Sequence, residues 1–284
     1  SALRAAGHAV VCASGISRDS VERIETLLPG VPVLEVPQVV ERAELVLLTV
    51  PDDALPGLVE GLATLGAWQP GQIVVHTSGA SGTAVLAPAR AAGAIPLAIH
   101  PAMTFTGTSL DLSRIVGATF AVTGPTPVLP IGQALVVEIG GEPVVVAEDA
   151  RGLYHAALAH GANHLVVLVA QAAQALRAAG VEAPDRVLGP LLGAALDGAV
   201  RSAGSDATGV GSLTGPVVRG DVGTVSAHLA ELALLAGRDA DAADLPDAYR
   251  ALARATTTRA LRAGRLGPEQ AQRLLDVLIP EDPQ

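Results

Sequence analysis

Residues 45–50, LVLLTV, carry no charge and are followed by Pro51-Asp52-Asp53 and a helical pattern over residues 54–65. A continuous apolar run of this length reads as a strand buried on both faces, the kind found inside parallel sheets. The pattern repeats outward from it. Ile73–His76 (IVVH) is a strand ending in the loop Thr77-Ser78-Gly79-Ala80. Residues 84–92 are helical, and Ile95–Ile99, Thr119–Val122 and Pro143–Val146 are further strands. Upstream, His8–Ala13 (HAVVCA) and Val33–Leu34 read as strands around a helix over Asp19–Leu28. Alternating strands and helices with short loops predict an α/β fold, a doubly wound parallel sheet.

After Glu148-Asp149 the pattern changes. Residues 150–179 read as one long helix, capped by Asp149 and stopped by Gly180, and further helices cover Val187–Ser202, Thr224–Ala236, Leu245–Arg262 and Pro268–Leu278. The expected division is an α/β domain over 1–148 and an all-helical domain over 149–284. The apolar face of residues 153–176 exceeds what one partner needs, which points to a homodimer seam in the helical domain.

The 284 residues are half hydrophobic but include only two Phe, two Tyr and one Trp, so the core must be built from Ala, Val and Leu. A net charge of −10 does not suit a phosphate backbone, which argues against nucleic acid. All 18 basic residues are Arg, so Schiff-base and lysine acid chemistry are excluded. The single cysteine, Cys12, excludes a disulfide framework and a cysteine zinc site. No metal is expected, since neither H-E-x-x-H nor a dense carboxylate cluster accompanies the histidines. Apolar runs such as Leu45–Val50 and Leu165–Ala173 fall short of the ~20 residues of a spanning helix, so the expectation is no membrane and a cytoplasmic location.

Residues 2–11, ending in Gly7-His8-Ala9-Val10-Val11, look like the end of a first Rossmann helix running into the second strand. The G-x-G-x-x-G turn that normally precedes it, and cradles a pyrophosphate, is not in this sequence. After the second strand an acidic residue normally binds the NAD ribose. Here the residues are Ser14-Gly15-Ile16-Ser17-Arg18. Small hydroxyls and a guanidinium suit a 2′-phosphate and favour NADP. An ordinary capping loop, with Ser17 or Asp19 at the helix N-cap, accounts for the same residues, and both readings stay open. Thr49-Val50-Pro51-Asp52 resembles the A-V-P-D element that lines the coenzyme in Rossmann reductases, so Thr49, Val50 and Pro51 join Ser14, Ser17 and Arg18 as cofactor candidates.

Three polar stretches hold five of the seven histidines. The first, His76-Thr77-Ser78-Gly79-Ala80, ends a strand, where open α/β sheets place ligands; His76 and Ser78 are cofactor candidates. The second is His100-Pro101-Ala102-Met103-Thr104-Phe105, again just past a strand, with His100 and Thr104 as substrate candidates. The third is Tyr154-His155-x₄-His160-x₂-Asn163-His164, whose spacing puts His160, Asn163 and His164 on one helix face. A fourth stretch, Leu213-Thr214-Gly215-Pro216-Val217-Val218-Arg219-Gly220-Asp221, is a loop. It reads either as a helix connection capped by Asp221 or as a lip where Thr214, Arg219 and Asp221 meet a carboxylate or carbonyl substrate.

The motifs H-T-S-G-A, I-H-P-A-M-T-F, E-D-A-R-x-L-Y-H-A-A-x-A-H-x-x-N-H and L-T-G-P-V-x-R-G-D resemble those of the Rossmann-like proteins with a C-terminal DUF2520 domain. The likeness spans both halves in order. It is similar in build to pyrroline-5-carboxylate reductase, ketopantoate reductase and 6-phosphogluconate dehydrogenase-type enzymes. The resemblance implies a dinucleotide-binding domain, a helical dimerisation domain and NADP-dependent reduction of a small 2-oxo acid or imine in the cleft between them. Related enzymes use a helical lysine as general acid. Here His160 or His164 stands at a similar place, and an imidazole donates protons near neutral pH. Asn163 would hold the carbonyl oxygen. The alternative is a sensor or scaffold that binds a dinucleotide without turnover.

Overall fold

The computed structural model describes residues 1–205 and 210–279. The chain forms two compact units, Ser1–Ala162 and Asn163–Gln284.

In the first unit, α1 (Ala2–Ala5), α2 (Arg18–Leu27) and α3 (Val36–Arg42) precede a five-stranded sheet. Its strands are β1 (Leu45–Leu48), β2 (Ile73–His76), β3 (Ile95–Pro101), β4 (Thr119–Thr123) and β5 (Glu142–Val145), adjacent in that order. Helices α4 (Leu55–Thr64), α5 (Ala87–Ala91), α6 (Leu110–Ile115) and α7 (Leu129–Glu138) connect them. β1, β2 and β3 are parallel, β4 is antiparallel to β3, and β5 runs parallel to β4. Apolar layers pack on both faces. Val46, Leu48, Val59, Trp68 and Val74 form one cluster, and Val75, Leu97, Phe120, Val122 and Val136 form the other. This is the α/β sheet with a helical second half that the alternation predicts.

Two expectations change. Residues 8–13 and 33–34 form no ladder; they meet in a single parallel bridge, Ala13 with Val33. An isolated pair of short extended segments is only marginally stable, and among the described residues these two share a single bridge with no third strand beside them. LVLLTV is likewise an edge strand. β1 pairs with β2 alone, and Leu47 is 45% exposed rather than buried on both faces.

Strands end at Val145, and helix begins with a 3₁₀ turn, Glu148–Ala150, running into α8 (Arg151–Leu158). A π turn over Ala159–Asn163 joins α8 to α9 (His164–Ala178). Asp149 does not cap this run; Ala150 stands at the N-cap with no side-chain bond. The continuous helical run Glu148–Ala178 is long and apolar enough to cross a bilayer by length and composition alone. The sequence expectation missed this because it counted uninterrupted apolar residues, and scattered polar residues break each run.

In the second unit, α9, α10 (Pro184–Ser205), α11 (Pro216–Arg219), α12 (Val222–Ala236), α13 (Leu245–Arg262) and α14 (Pro268–Val277) form a helical bundle. Val217, Val225, Leu229, Ala260 and Leu274 form its core. Gln171 and Gln174 on α9 donate to Asp244 (2.8 Å) and Asp239 (2.9 Å), tying α9 to the α12–α13 connection.

Candidate functional site

Parallel strands place their C-terminal ends side by side, and register shows which residues meet there. Leu48 pairs with His76, and His76 with Ala98. His100 lies two residues further along β3, in register with Ala121 of β4. The loop after β2, residues 77–82, covers this edge, and α8 packs against the loop.

His76 fixes the start of that loop. Its ring is fully buried. Nε2 lies 2.9 Å from the Gly82 carbonyl, and the Ser78 N–H donates to Nδ1 at 3.2 Å. A neutral imidazole with its proton on Nε2 satisfies both contacts. Burial, first of all, pushes its pKa below the ordinary histidine value. The His76 ring is thus committed to holding the loop. Ser78 is buried too, and its hydroxyl accepts from the Ser81 N–H at 3.1 Å.

Arg151, at the first turn of α8, is 0% exposed. Its Nε donates to the Ser81 carbonyl at 3.0 Å, Nη1 to Ala121 at 3.3 Å, and Nη2 to Ser78. One guanidinium thereby joins the loop, β4 and α8. One turn earlier, the Glu148 carboxylate accepts from the Thr83 N–H (2.8 Å), the Thr83 hydroxyl (3.0 Å) and the Ala84 N–H (2.9 Å). It serves as a distant cap for the short helix after the loop, whose own N-cap, Gly82, has no side chain to offer. Burial raises the Glu148 pKa, but these donors outweigh it and hold the carboxyl below its usual range. The approach requires glycine: a Cβ at Gly82 would run into the carboxylate, and one at Gly79 would lie 2.5 Å from His155 Cδ2 and 2.9 Å from His100 Nε2.

Above this frame stand three rings. His100 Nδ1 lies 3.0 Å from the Tyr154 hydroxyl. The His100 ring meets those of Tyr154 and His155 edge-on, with centroids 5.6 and 5.9 Å away. Arg151 lies 5.7 Å from the Tyr154 ring centroid, in range of a cation–π attraction. Burial, then the charges of Arg151 and His155, lower the His100 pKa to about 4. Burial raises that of Tyr154. The imidazole is therefore neutral at working pH and has one ring proton to share with the phenol.

The sequence candidates separate. His100, His76 and Ser78 belong to this cluster, and Thr49, Val50 and Pro51 follow the neighbouring strand end; Thr77 N–H donates to the Leu48 carbonyl at 3.3 Å. Thr104 is exposed in the loop beyond β3. Ser17 is the N-cap of α2, accepting from the Ser20 N–H at 3.1 Å. Arg18 pairs with Glu22 at 2.8 Å and keeps 90% of its side chain exposed. Ser14 is partly buried just before them.

His160 sits in the π turn of the first unit, whereas Asn163 and His164 fall in the second. A π turn bonds i to i+5, so the i, i+4 stacking expected of His160, Asn163 and His164 does not carry through it. Within the second unit Asp221 caps α12, accepting from the Thr224 N–H (3.0 Å) and hydroxyl (2.7 Å). Arg219 ends α11, and Thr214 is exposed just before it. Among the described residues, no three His, Cys, Asp or Glu side chains gather closely enough to hold a metal ion.

Sequence reasoning left out Arg151, Glu148, Tyr154 and His155 as site residues. The signal was in the stretch E-D-A-R-x-L-Y-H: spacings of three and four put Glu148, Arg151, Tyr154 and His155 along one face.

Residues 1–101 match the profile of the Rossmann-like domain, and residues 118–256 match that of the domain of unknown function DUF2520. No curated protein matches the sequence. Among solved structures, an assigned NADP oxidoreductase from Bacteroides fragilis is 19% identical, covering 89% of this chain and 90% of its own, with a TM-score of 0.68. The imine reductase of Myxococcus stipitatus, solved with NADP⁺, is 17% identical over 96% of this chain and 94% of its own (TM-score 0.59). The imine reductase of Streptomyces aurantiacus is 21% identical over 93% and 91% (TM-score 0.55). At these identities the likeness is one of fold. Taken with the two profile matches, it identifies the chain as a Rossmann-like protein with a C-terminal DUF2520 domain.

Proposed function

We propose that the protein is an NADP-dependent reductase acting on the C=O or C=N bond of a small molecule, a 2-oxo acid or an imine. The observation that carries this reading is the His100–Tyr154 pair at the C-terminal edge of a parallel sheet, where α/β folds bind nucleotides. Bound NADPH supplies the hydride that reaches the substrate carbon. The residues of this chain supply the proton and the orientation. If the phenol donates to Nδ1, the imidazole proton sits on Nε2, on the side of the ring next to Gly79. If Nδ1–H donates to the phenol oxygen, the phenol O–H is released instead. In both arrangements the pair offers one hydrogen to the substrate oxygen or nitrogen, and the other ring can pass on a replacement. This geometry favours His100 and Tyr154 over His160 or His164 as the proton source.

The backbone after β1 and β2, at residues 49–51 and 77–79, fits the coenzyme's nicotinamide end. Since Ser17 is spent as a cap, Arg18 carries the preference for NADP: exposed, it can leave Glu22 for a phosphate in the forked geometry that guanidinium favours. The bilayer-length helix is read as a protein-facing surface in a cytoplasmic homodimer. Val166, Leu191 and Val200 on α9 and α10 are 70%, 62% and 63% exposed, more apolar surface than a lone bundle leaves open. In the same reading, residues 1–148 bind the coenzyme and residues 149–284 supply substrate and dimer contacts.

NADPH oxidation over a panel of 2-oxo acids and cyclic imines tests the function. Turnover that falls in Tyr154→Phe and persists in His160→Ala and His164→Ala supports it. The opposite ranking moves the proton role to the later histidines, and no turnover with any substrate removes the reading.

A further inference from the structure

A fully buried arginine with no carboxylate against it is costly, and Arg151 is one. The guanidinium meets three backbone carbonyls and one aromatic face. Among the described residues, no Asp or Glu lies within ion-pair distance of it; the carboxylates of Glu148 and Asp52 act on its charge only from farther away. Three carbonyls could be bridged by a neutral amide or water; they do not by themselves require a charge. The position of the charge points to what does. Nη1 bonds the carbonyl of Ala121, the residue in register with His100, and the same guanidinium lies under the ring that hydrogen-bonds His100.

We propose that Arg151 is a positioning residue for the His100–Tyr154 pair: its guanidinium locks the loop after β2, the middle of β4 and the first turn of α8 into one frame, and sets a fixed positive charge beside the two rings. This deepens the reductase reading and rests on it for its purpose, though not for its test. A protonated His100 would have donors on both nitrogens. The phenol could then no longer donate to Nδ1, and one of the two arrangements of the pair would be lost. The groups facing His100 are Arg151, Tyr154 and His155 from α8, Asp52 from the loop after β1, the Gly79 backbone from the loop after β2, and Ala121 of β4. Arg151 and His155 oppose protonation and Asp52 favours it. The Arg151 guanidinium holds its charge at every working pH.

The test follows the His100 ring protons by NMR in the full chain without coenzyme, assigned by their loss in His100→Asn. In the wild type the ring titrates at about 4. In Arg151→Met it is expected to rise by part of that depression, because burial, the larger cause, stays in place. Should Arg151→Met fail to fold, Arg151→Gln keeps donors for the carbonyls while removing the charge, and the same rise is expected. Arg151→Lys keeps the charge and loses the three-way grip. Its His100 titration stays with the wild type while NADPH turnover falls, a split that loss of structure alone would not give. An unmoved titration in a folded neutral variant overturns the proposal, and so does an Arg151→Lys ring that titrates in the ordinary range. The titration readings need no turnover, so they fail independently of the reductase assignment.

Discussion

The molecule contains the same two devices twice, once in each unit. His100 and Tyr154 are joined at 3.0 Å with rings edge-on at 5.6 Å; His228 and Tyr249 are joined at 2.9 Å with rings edge-on at 5.8 Å. Arg151 grips the carbonyls of Ser78, Ser81 and Ala121; Arg265 grips those of Val210, Gly211 and Leu213. Local geometry barely separates the copies. Surroundings do. Arg151 is fully buried, directly beneath its His–Tyr pair and at the ends of parallel strands, whereas Arg265 and His228 are exposed on a helical bundle. A histidine–tyrosine hydrogen bond is therefore not a site by itself. It becomes one where burial and a fixed charge decide its protonation.

Exchanging equivalent residues breaks or sharpens this contrast. The largest difference is expected in turnover. Tyr154→Phe should cost about 10²–10⁴-fold in kcat, the usual worth of a positioned acid. Tyr249→Phe should leave kcat unchanged in the same NADPH assay. Next comes stability. Arg151→Met strands buried carbonyls and should cost about 1–3 kcal/mol in urea unfolding, against about 1 kcal/mol or less for Arg265→Met at the exposed counterpart. Gly82→Ala pushes Glu148 from its three donors and should cost about 1–3 kcal/mol, with wild-type behaviour regained only if Glu148 is shortened too.

A pH effect follows in size. The folded His100 pKa lies near 4, below the unfolded value of 6.5, so the unfolded chain binds the extra proton first as pH falls. His100 thus contributes stability that is fully present above pH 6.5 and lost as pH drops toward 4. His100→Asn should flatten that part of the stability–pH curve. The smallest effect is expected at Arg18, at the exposed end of the proposed coenzyme site. Arg18→Ala should raise the KM for NADPH more than that for NADH; equal changes would leave the arginine as no more than a partner of Glu22.

Much of the fold was legible because its signals are local. Period and capping residues mark α2, α12, α13 and every strand of the sheet, each within a few residues. LVLLTV misled about burial because an apolar strand does not announce whether a neighbour stands on each side of it. The site was half legible. His100 lies in the last two residues of β3 and Ser78 just past the end of β2, which is a positional signal. Arg151 was not singled out because an arginine at a helix start looks like surface charge until its carbonyl partners, up to 73 residues away in sequence, are known. The face drawn through His160 and His164 assumed an unbroken α-helix, and a π turn leaves no clear mark in sequence.

The most direct test of the account is a titration of the full chain, labelled with ¹⁵N-histidine, with NADPH. The account predicts that the His100 and His155 signals shift as the coenzyme binds while those of His228 stay in place. Binding that leaves His100 unmoved, or that moves His228 instead, would contradict it.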